Sequence, residues 1–139
     1  MFLKDRSRVR NRRGTAAVEF AVIAPLMMLF TFGLVEIGRI MLVKQSAIHA
    51  TREGARVAIR PTAADQEVLD RVNEELALLG ITDATVEMNP ISLEMAAPGS
   101  PVTVSVRINL ASVSVVPGLL NITSSEIVAD SSMRRETTE

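Results

Sequence analysis

The chain contains no cysteine, no tryptophan and no tyrosine, and it has a single histidine. The missing thiols exclude a disulfide framework, a thiolate metal site and a thiol nucleophile. Four phenylalanines are its only aromatic residues, so the core must be built mainly from Val, Ile, Leu and Met. The 139 residues suffice for one modest domain with an anchor, but not for two independent cores.

The sequence also lacks the common short motifs of catalysis. No HExxH, GxSxG, phosphate-loop or dinucleotide-binding signature occurs. His49 has Glu53 at position i+4, a spacing that favours an exposed helix ion pair over an acid–base pair. We therefore expect no catalytic residue, no metal, no cofactor, no small-molecule substrate and no enzymatic activity.

Charge is distributed unevenly along the chain. Residues 1–14 hold six basic side chains and one acidic one, whereas the remaining residues hold nine basic and fifteen acidic ones. A basic flank beside an apolar run is typical of membrane topology. Nucleic-acid binding is the alternative for the arginine cluster, but the cluster runs directly into a segment suited to lipid, and we expect no nucleic-acid partner.

The apolar run indicates a membrane span over residues 15–36. Between Phe20 and Val35 the only polar side chain is that of Thr31. As a helix, residues 15–35 would be about 31 Å long, close to the roughly 30 Å of a hydrocarbon core. A cleaved secretory signal peptide is the alternative, but Glu36 and Arg39 follow the run where a small-x-small cleavage site would stand. The basic flank predicts a cytoplasmic N-terminus.

One carboxylate, that of Glu19, does not suit a plain anchor. An ionised carboxylate near the middle of a span costs about 2.5–3.5 kcal/mol on insertion scales, and less near an end. No basic side chain follows within one helical turn, and the residue at i−4 is Thr15. If the chain were cut after Gly14, Thr15 would carry an α-amino group with a pKa of about 7.7–8.0. The cut would therefore create a counter-ion on the same helix face.

The stretch RRGTAAVEF resembles the prepilin-peptidase site of type IV pilin-like proteins. That resemblance implies cleavage between Gly14 and Thr15 after a basic leader of residues 1–14. It also implies that Glu19 and Phe20 take part in peptidase recognition and assembly. Phe20 stands where the major Flp pilin typically has a tyrosine, which favours a minor pilin or a pseudopilin.

Three elements in order resemble the TadE-like proteins of the tight-adherence (Tad/Flp) pilus system. They are GTAAVEFAVIAP, GLVEIGR and ATREGAR, at 14–25, 33–39 and 50–56, and the closing ADSSMRRE at 129–136 resembles the end of that family's domain. The resemblance implies a structural subunit of the bacterial inner membrane, with a periplasmic or extracellular head. Its implied partners are membrane lipid, a prepilin peptidase, other Tad pilins or pseudopilins, and the assembly-platform proteins.

The helix is expected to continue over residues 37–60 and to stop before Pro61. Pro25 should kink it, because proline removes one backbone hydrogen bond. Arg52, Glu53 and Arg56 form either a solvated charged face or, by the resemblance, a contact surface for the head or another pilin. The 3.6-residue pattern predicts a core-facing stripe made of Ile37, Ile40, Met41, Ile48, Thr51, Ala55, Ala58 and Ile59.

Residues 61–139 are predicted to form a small α+β head. A helix is expected over 63–79, with Thr62 and Asp65 as a start resembling a capping box and Gly80 just past the end. Period-two alternation predicts strands at 84–88 and, with one apolar face, at 102–110. A bulge or bend near Ala111, a turn at Pro117 and Gly118, and a last strand within 121–133 should follow.

The expected fold class is therefore α+β and pilin-like. It combines a long, partly transmembrane helix, a second helix and a mostly antiparallel sheet of three to four strands. The alternative function from the residues alone is an uncleaved, single-pass, membrane-anchored binding or sensor module.

Overall fold

The computed structural model describes residues 7–115 and 125–137, with the backbone alone for residues 7–13. The elements, in chain order, are helix α1 (Ser7–Ala58), helix α2 (Asp65–Ala77), strand β1 (Ala84–Asn89), a 3-10 turn (Leu93–Met95), strand β2 (Pro101–Asn109), helix α3 (Leu110–Val113) and strand β3 (Glu126–Arg134). The predicted α+β class, with two main helices and an antiparallel sheet, is confirmed. The chain divides between Val35 and Glu36 into two compact units, called here the N-terminal unit and the head.

Helix α1 begins at Ser7, inside the predicted leader rather than after it. Arginine is a good helix former, and a single glycine inside a helix costs only about 1 kcal/mol, so Gly14 does not end the helix on its N-terminal side. Residues 1–6 of the predicted leader lie outside the described residues. The helix ends at Ala58, shortly before Pro61, as predicted from the proline.

The N-terminal unit carries apolar side chains that are almost all exposed. Thr31, the one polar side chain between Phe20 and Val35, donates its hydroxyl to the Met27 carbonyl at 2.8 Å. This bond satisfies the hydroxyl within the helix itself, as a lipid environment requires. Pro25 lies inside α1; the kink stays a prediction.

In the head, the buried face of α1 agrees with the predicted stripe only in part. Ile37 and Met41 are exposed, whereas small residues contact the core. The fully buried apolar positions of α1 are Val43, Ala47, Ala50, Ala55 and Ala58. Thr51, Ala55 and Ala58 of the predicted stripe are buried, and Ile40 and Ile48 pack against the core. The stripe left out Val43, Ala47 and Ala50, because a helix that approaches a sheet and a second helix closely also buries small side chains that carry little weight in an apolar pattern.

Gly54 brings α1 and α2 into close contact. A Cβ at this position would overlap the Val72 side chain of α2 and would lie 3.4 Å from Val104 of β2. Val68, Val72 and Leu76 form the buried face of α2, which confirms the predicted apolar stripe of that helix. Glycine is therefore required here for packing.

The two ends of α2 differ in how well the sequence predicted them. At the start, Ala64 is the N-cap without a side-chain cap, and Asp65 accepts a hydrogen bond from the Leu93 N–H instead. The predicted capping box is therefore wrong. At the end, Gly80 has φ +70°, and the N–H groups of Gly80 and Ile81 donate to the carbonyls of Ala77 and Leu76. This is a Schellman motif, and it confirms the predicted role of Gly80.

The sheet has three antiparallel strands in the order β1-β2-β3. The central strand β2 alternates as predicted, with Val102, Val104, Val106 and Ile108 fully buried. In register, Ala84 of β1 and Ile127 of β3 both lie opposite Ile108. One face of the sheet therefore packs on the helices, and the core lies between them.

After β2 the chain forms a short helix instead of the predicted bulge or bend. Asn109 caps α3 by accepting a hydrogen bond from the Ala111 N–H at 2.9 Å. Because the chain enters α3 here, the apolar residues no longer fall at every second position after Leu110; Leu110 and Val113 are the buried ones. The predicted turn at Pro117 and Gly118 and the beginning of the last predicted strand lie outside the described residues; β3 itself begins at Glu126.

Arg135 directly follows β3 and fixes the C-terminal end of the head. It belongs to the ADSSMRRE stretch at 129–136. Its guanidinium donates to the carbonyls of Leu93, Ala96 and Pro61, and its backbone N–H donates to Ser100 at 2.9 Å. Pro61 belongs to the connection between α1 and α2, and Leu93 and Ala96 belong to the connection between β1 and β2. The Arg135 side chain therefore joins two loops at the end of the head opposite the beginning of the head at Glu36.

Candidate functional site

The predicted cleavage and assembly residues all lie in the N-terminal unit. Gly14, Thr15, Glu19 and Phe20 are exposed on helix α1. Thr15 and Glu19 stand four residues apart, which puts both side chains on one face of the helix. Their roles in cleavage and assembly stay predictions.

The predicted contact surface at 52–56 has two sides. Arg52 and Arg56 are exposed, whereas Gly54 and Ala55 between them are buried in the core of the head. Glu53 is half-buried and lies 3.7 Å from the Arg71 guanidinium of α2. Glu53 therefore contacts α2 within the head. Arg52 and Arg56 are the exposed part of this element.

His49 pairs with α2 rather than along its own helix. Its Nδ1 lies 3.4 Å from Glu75 Oε2, and Arg71 Nη2 lies 2.7 Å from the other oxygen of that carboxylate. The predicted pairing with Glu53 is not the one formed, because Glu53 faces Arg71 instead. Within the described part of the chain, no group of three or more acidic, histidine or cysteine side chains is arranged to hold a metal ion.

Glu36 is the residue that the sequence analysis missed. It is the first residue of the head and only 1% exposed. Its Oε2 accepts a hydrogen bond from the Val115 N–H at 3.0 Å. Glu36 occupies the same helix face as Val43 and Ala47, at heptad-like spacing, so the buried stripe of α1 begins with a carboxylate.

Arg39, one turn further on, fastens the helix to another part of the head. Its guanidinium donates to the Leu79 carbonyl at 3.1 Å. That carbonyl belongs to the segment that closes α2, where the partial negative charge of helix carbonyls attracts a cation. The bond thereby links α1 to the C-terminal end of α2.

Two hydrogen bonds thus connect the beginning of the head to other elements. Glu36 binds the segment after α3, and Arg39 binds the segment at the end of α2. Both belong to the GLVEIGR element, for which the resemblance to the TadE-like proteins implied no contact within the head. A signal was available: two charged residues directly after a long apolar stretch, at one-turn spacing. Their partners are distant in sequence, so the pattern alone does not name them.

The described residues define a class of protein: an α+β head that begins on the same helix as a long apolar segment. By length and composition, α1 is able to cross a membrane, consistent with a membrane anchor.

Residues 14–56 match the family model of the TadE-like proteins, which confirms the resemblance seen in the sequence. The match begins at Gly14 and includes Glu19, Glu36, Arg39 and the 50–56 element. Comparison with curated proteins and with solved structures gives no match.

Proposed function

We propose that this chain is a structural minor pilin or pseudopilin of a Tad/Flp pilus assembly and secretion system. The observation that carries the proposal is the TadE-like match over residues 14–56. A match to this family favours a Tad pilus-associated protein over an uncleaved binding or sensor module. The pilin-like role is supported by the position of Glu19 five residues after Gly14, and the finer role as a minor pilin or pseudopilin by Phe20, which stands where the major Flp pilin typically has a tyrosine.

The proposed topology is a single pass through the bacterial inner membrane. The basic residues 1–14 stay in the cytoplasm by the positive-inside rule, residues 15–36 span the membrane, and the head lies in the periplasm or, after assembly, on the pilus. The exposed apolar surface of the N-terminal unit supports the span, since a water-soluble chain rarely exposes so large an apolar area.

In the proposed mechanism, a prepilin peptidase cuts after Gly14 and frees the Thr15 amine. When apolar helices of neighbouring subunits pack, Glu19 of one subunit meets the amine of another. In a water-poor environment an ion pair of this kind forms only in one axial register, so it specifies the stagger between subunits. Phe20 packs beside it, and Arg52 and Arg56 are available to contact another subunit.

The proposed partners are membrane lipid, the peptidase, other Tad pilins or pseudopilins and the assembly platform. We propose no nucleic-acid or small-molecule ligand, no cofactor and no enzymatic activity.

Mass spectrometry of the mature N-terminus tests the proposal. We expect a chain beginning at Thr15 in wild-type cells and an uncut chain in cells that lack the prepilin peptidase. A chain that begins at Met1 or Phe2 in both strains contradicts the proposal and favours the membrane-anchored binding or sensor module.

A further inference from the structure

The head has two ends, and apolar side chains are exposed at both. One end, called here the base, holds Glu36 and Arg39 with their partners Val115 and Leu79. The other, the distal end, holds Pro61 and Leu93, which Arg135 joins. Between Glu36 and Ala58, α1 rises by roughly 33 Å. The two ends are therefore far apart, and only the base directly follows the apolar run.

At the base, exposed apolar side chains come from three parts of the chain. Leu78, next to the carbonyl that Arg39 binds, is 79% exposed, and Val115, whose N–H Glu36 binds, is 54% exposed. Ile37 and Met41 of α1 are exposed as well. Two hydrogen bonds hold Leu79 and Val115 against the helix, so Leu78 and Val115 are fixed in place at this end of the head.

These side chains surround the helix instead of forming one face. Val115 and Leu79 contact the side of α1 that carries Glu36 and Arg39, whereas Ile37 and Met41 lie about 100° and 140° round the helix from Glu36. A protein partner covers one side of a helix. A membrane boundary contacts every side at the same depth, and Glu36 follows Val35, the last residue of the apolar run, without a linker.

From this arrangement we infer that the base of the head rests on the lipid bilayer, with Leu78 and Val115 inserted into its interfacial region. The inference rests on the proposed membrane span and adds a second contact between the protein and lipid. The part-buried hydrogen bonds at Arg39 and Glu36 hold the inserted residues to the helix.

The charges at the base indicate which property of the lipid matters. Asp83 and Glu126 are exposed beside the ends of β1 and β3 that meet Ile108 and Asn109. Two basic side chains lie at this end as well: Arg39, and Arg107, whose Nη1 is 3.9 Å from Glu126 Oε2. Because charges of both signs are present, this end offers no net attraction to anionic headgroups, and the contact depends on apolar insertion. Its strength should be the same in phosphatidylcholine vesicles with and without phosphatidylglycerol.

The absence of cysteine allows a direct test with the full chain in vesicles. Single variants Leu78→Cys and Val115→Cys are labelled with an environment-sensitive fluorophore, and lipids carrying a nitroxide near the headgroup act as quenchers. Ile91→Cys and Met95→Cys are matched controls, because these side chains are 84% and 75% exposed and flank Leu93 at the distal end. Leu29→Cys reports on the span itself.

We expect strong quenching at positions 29, 78 and 115, at least several-fold greater than at 91 and 95, in vesicles of both compositions. Quenching at 29 with 78 and 115 as weakly quenched as the controls overturns the inference and leaves the anchor intact. No quenching at 29 overturns the proposed anchor and the inference together. If the labels at 78 and 115 are shielded only at high protein-to-lipid ratio, with cross-linking between them, the base binds a second copy of the chain and the inference is wrong.

Discussion

Two carboxylates of the same helix, Glu19 and Glu36, lie in opposite surroundings. Glu19 is exposed within an apolar segment, and Glu36 is buried in the head with the Val115 N–H as a hydrogen-bond donor. In the proposed function the first carboxylate acts between molecules, whereas the second binds within one. Substitutions at the two positions should therefore have different consequences.

Replacing Glu19 by alanine should leave membrane insertion intact and impair pilus assembly. The change removes a carboxylate that costs free energy in lipid, so the span becomes no less stable, but the proposed pair with the Thr15 amine of a neighbouring subunit is lost. Membrane fractionation and recovery of sheared pili measure the two effects. Glu74→Ala, which removes an exposed carboxylate of α2, serves as control; a Glu19→Ala strain with normal piliation would contradict the role proposed for this residue.

Replacing Glu36 by alanine should destabilise the head by about 1–3 kcal/mol, because the part-buried hydrogen bond from the Val115 N–H to a carboxylate is lost. Glu36→Gln should lose less, since its amide oxygen can still accept from the Val115 N–H. Denaturant unfolding in detergent micelles, followed by circular dichroism, measures both, and hydrogen exchange at the Val115 amide reports on the bond itself. If both variants unfold like the wild type, the bond does not stabilise the head.

At the scale of the element, Gly54 sets the distance between α1 and α2. Gly54→Ala places a Cβ against Val72, and overpacking of this kind costs typically about 1–3 kcal/mol. Gly38→Ala is the matched control, because no atom lies within 4 Å of a Cβ there; in a helix interior it should stabilise by up to about 1 kcal/mol.

The double variant Gly54→Ala with Val72→Ala tests the mechanism of that effect. If the clash between the two side chains causes the loss, the second substitution restores part of the stability beyond additivity. Thermal unfolding of the four proteins measures the coupling. Additive losses, or a Gly54→Ala variant as stable as Gly38→Ala, would show that the helices do not need glycine at this position.

The elements show which parts of the fold a sequence can predict. Strand β2 was predicted from alternation alone, because its apolar side chains all face one core. The C-terminal end of α2 was predicted from Gly80, since its positive φ is a local property. In both cases the cause lies within a few residues of the effect.

The wrong or incomplete predictions concern contacts between residues that are distant in sequence and helix positions with small side chains. Asp65 bonds to Leu93 and Glu36 to Val115, and neither partner is visible from local spacing. On α1 the predicted stripe included Ala55 and Ala58 but left out Ala47 and Ala50, because alanine carries little weight in an apolar pattern, although close packing selects it. The candidate residues at 14–20 came from a resemblance, which gave their position and not their contacts.

On the scale of the whole molecule, the chain joins a segment suited to lipid and a head with its own core, and the division falls between Val35 and Glu36. The two charged residues of the GLVEIGR element, Glu36 and Arg39, lie on the head side of this division. In the proposed function, the first unit supplies the packing surface of the assembly and the second supplies its outer surface. The proposed function therefore depends on the basic flank and the head lying on opposite sides of the membrane.

Single cysteines in this cysteine-free chain measure that topology. In cells lacking the prepilin peptidase, a membrane-impermeant maleimide should label Ile91→Cys in spheroplasts, because the head lies outside the inner membrane, and should label Lys4→Cys only after lysis, because the basic flank stays inside. In cells with the peptidase, Lys4→Cys should vanish from the mature chain, since cleavage after Gly14 removes it. Labelling of Lys4→Cys in intact spheroplasts would reverse the proposed orientation and would leave Glu19 and the Thr15 amine on the wrong side for a cytoplasmic peptidase site.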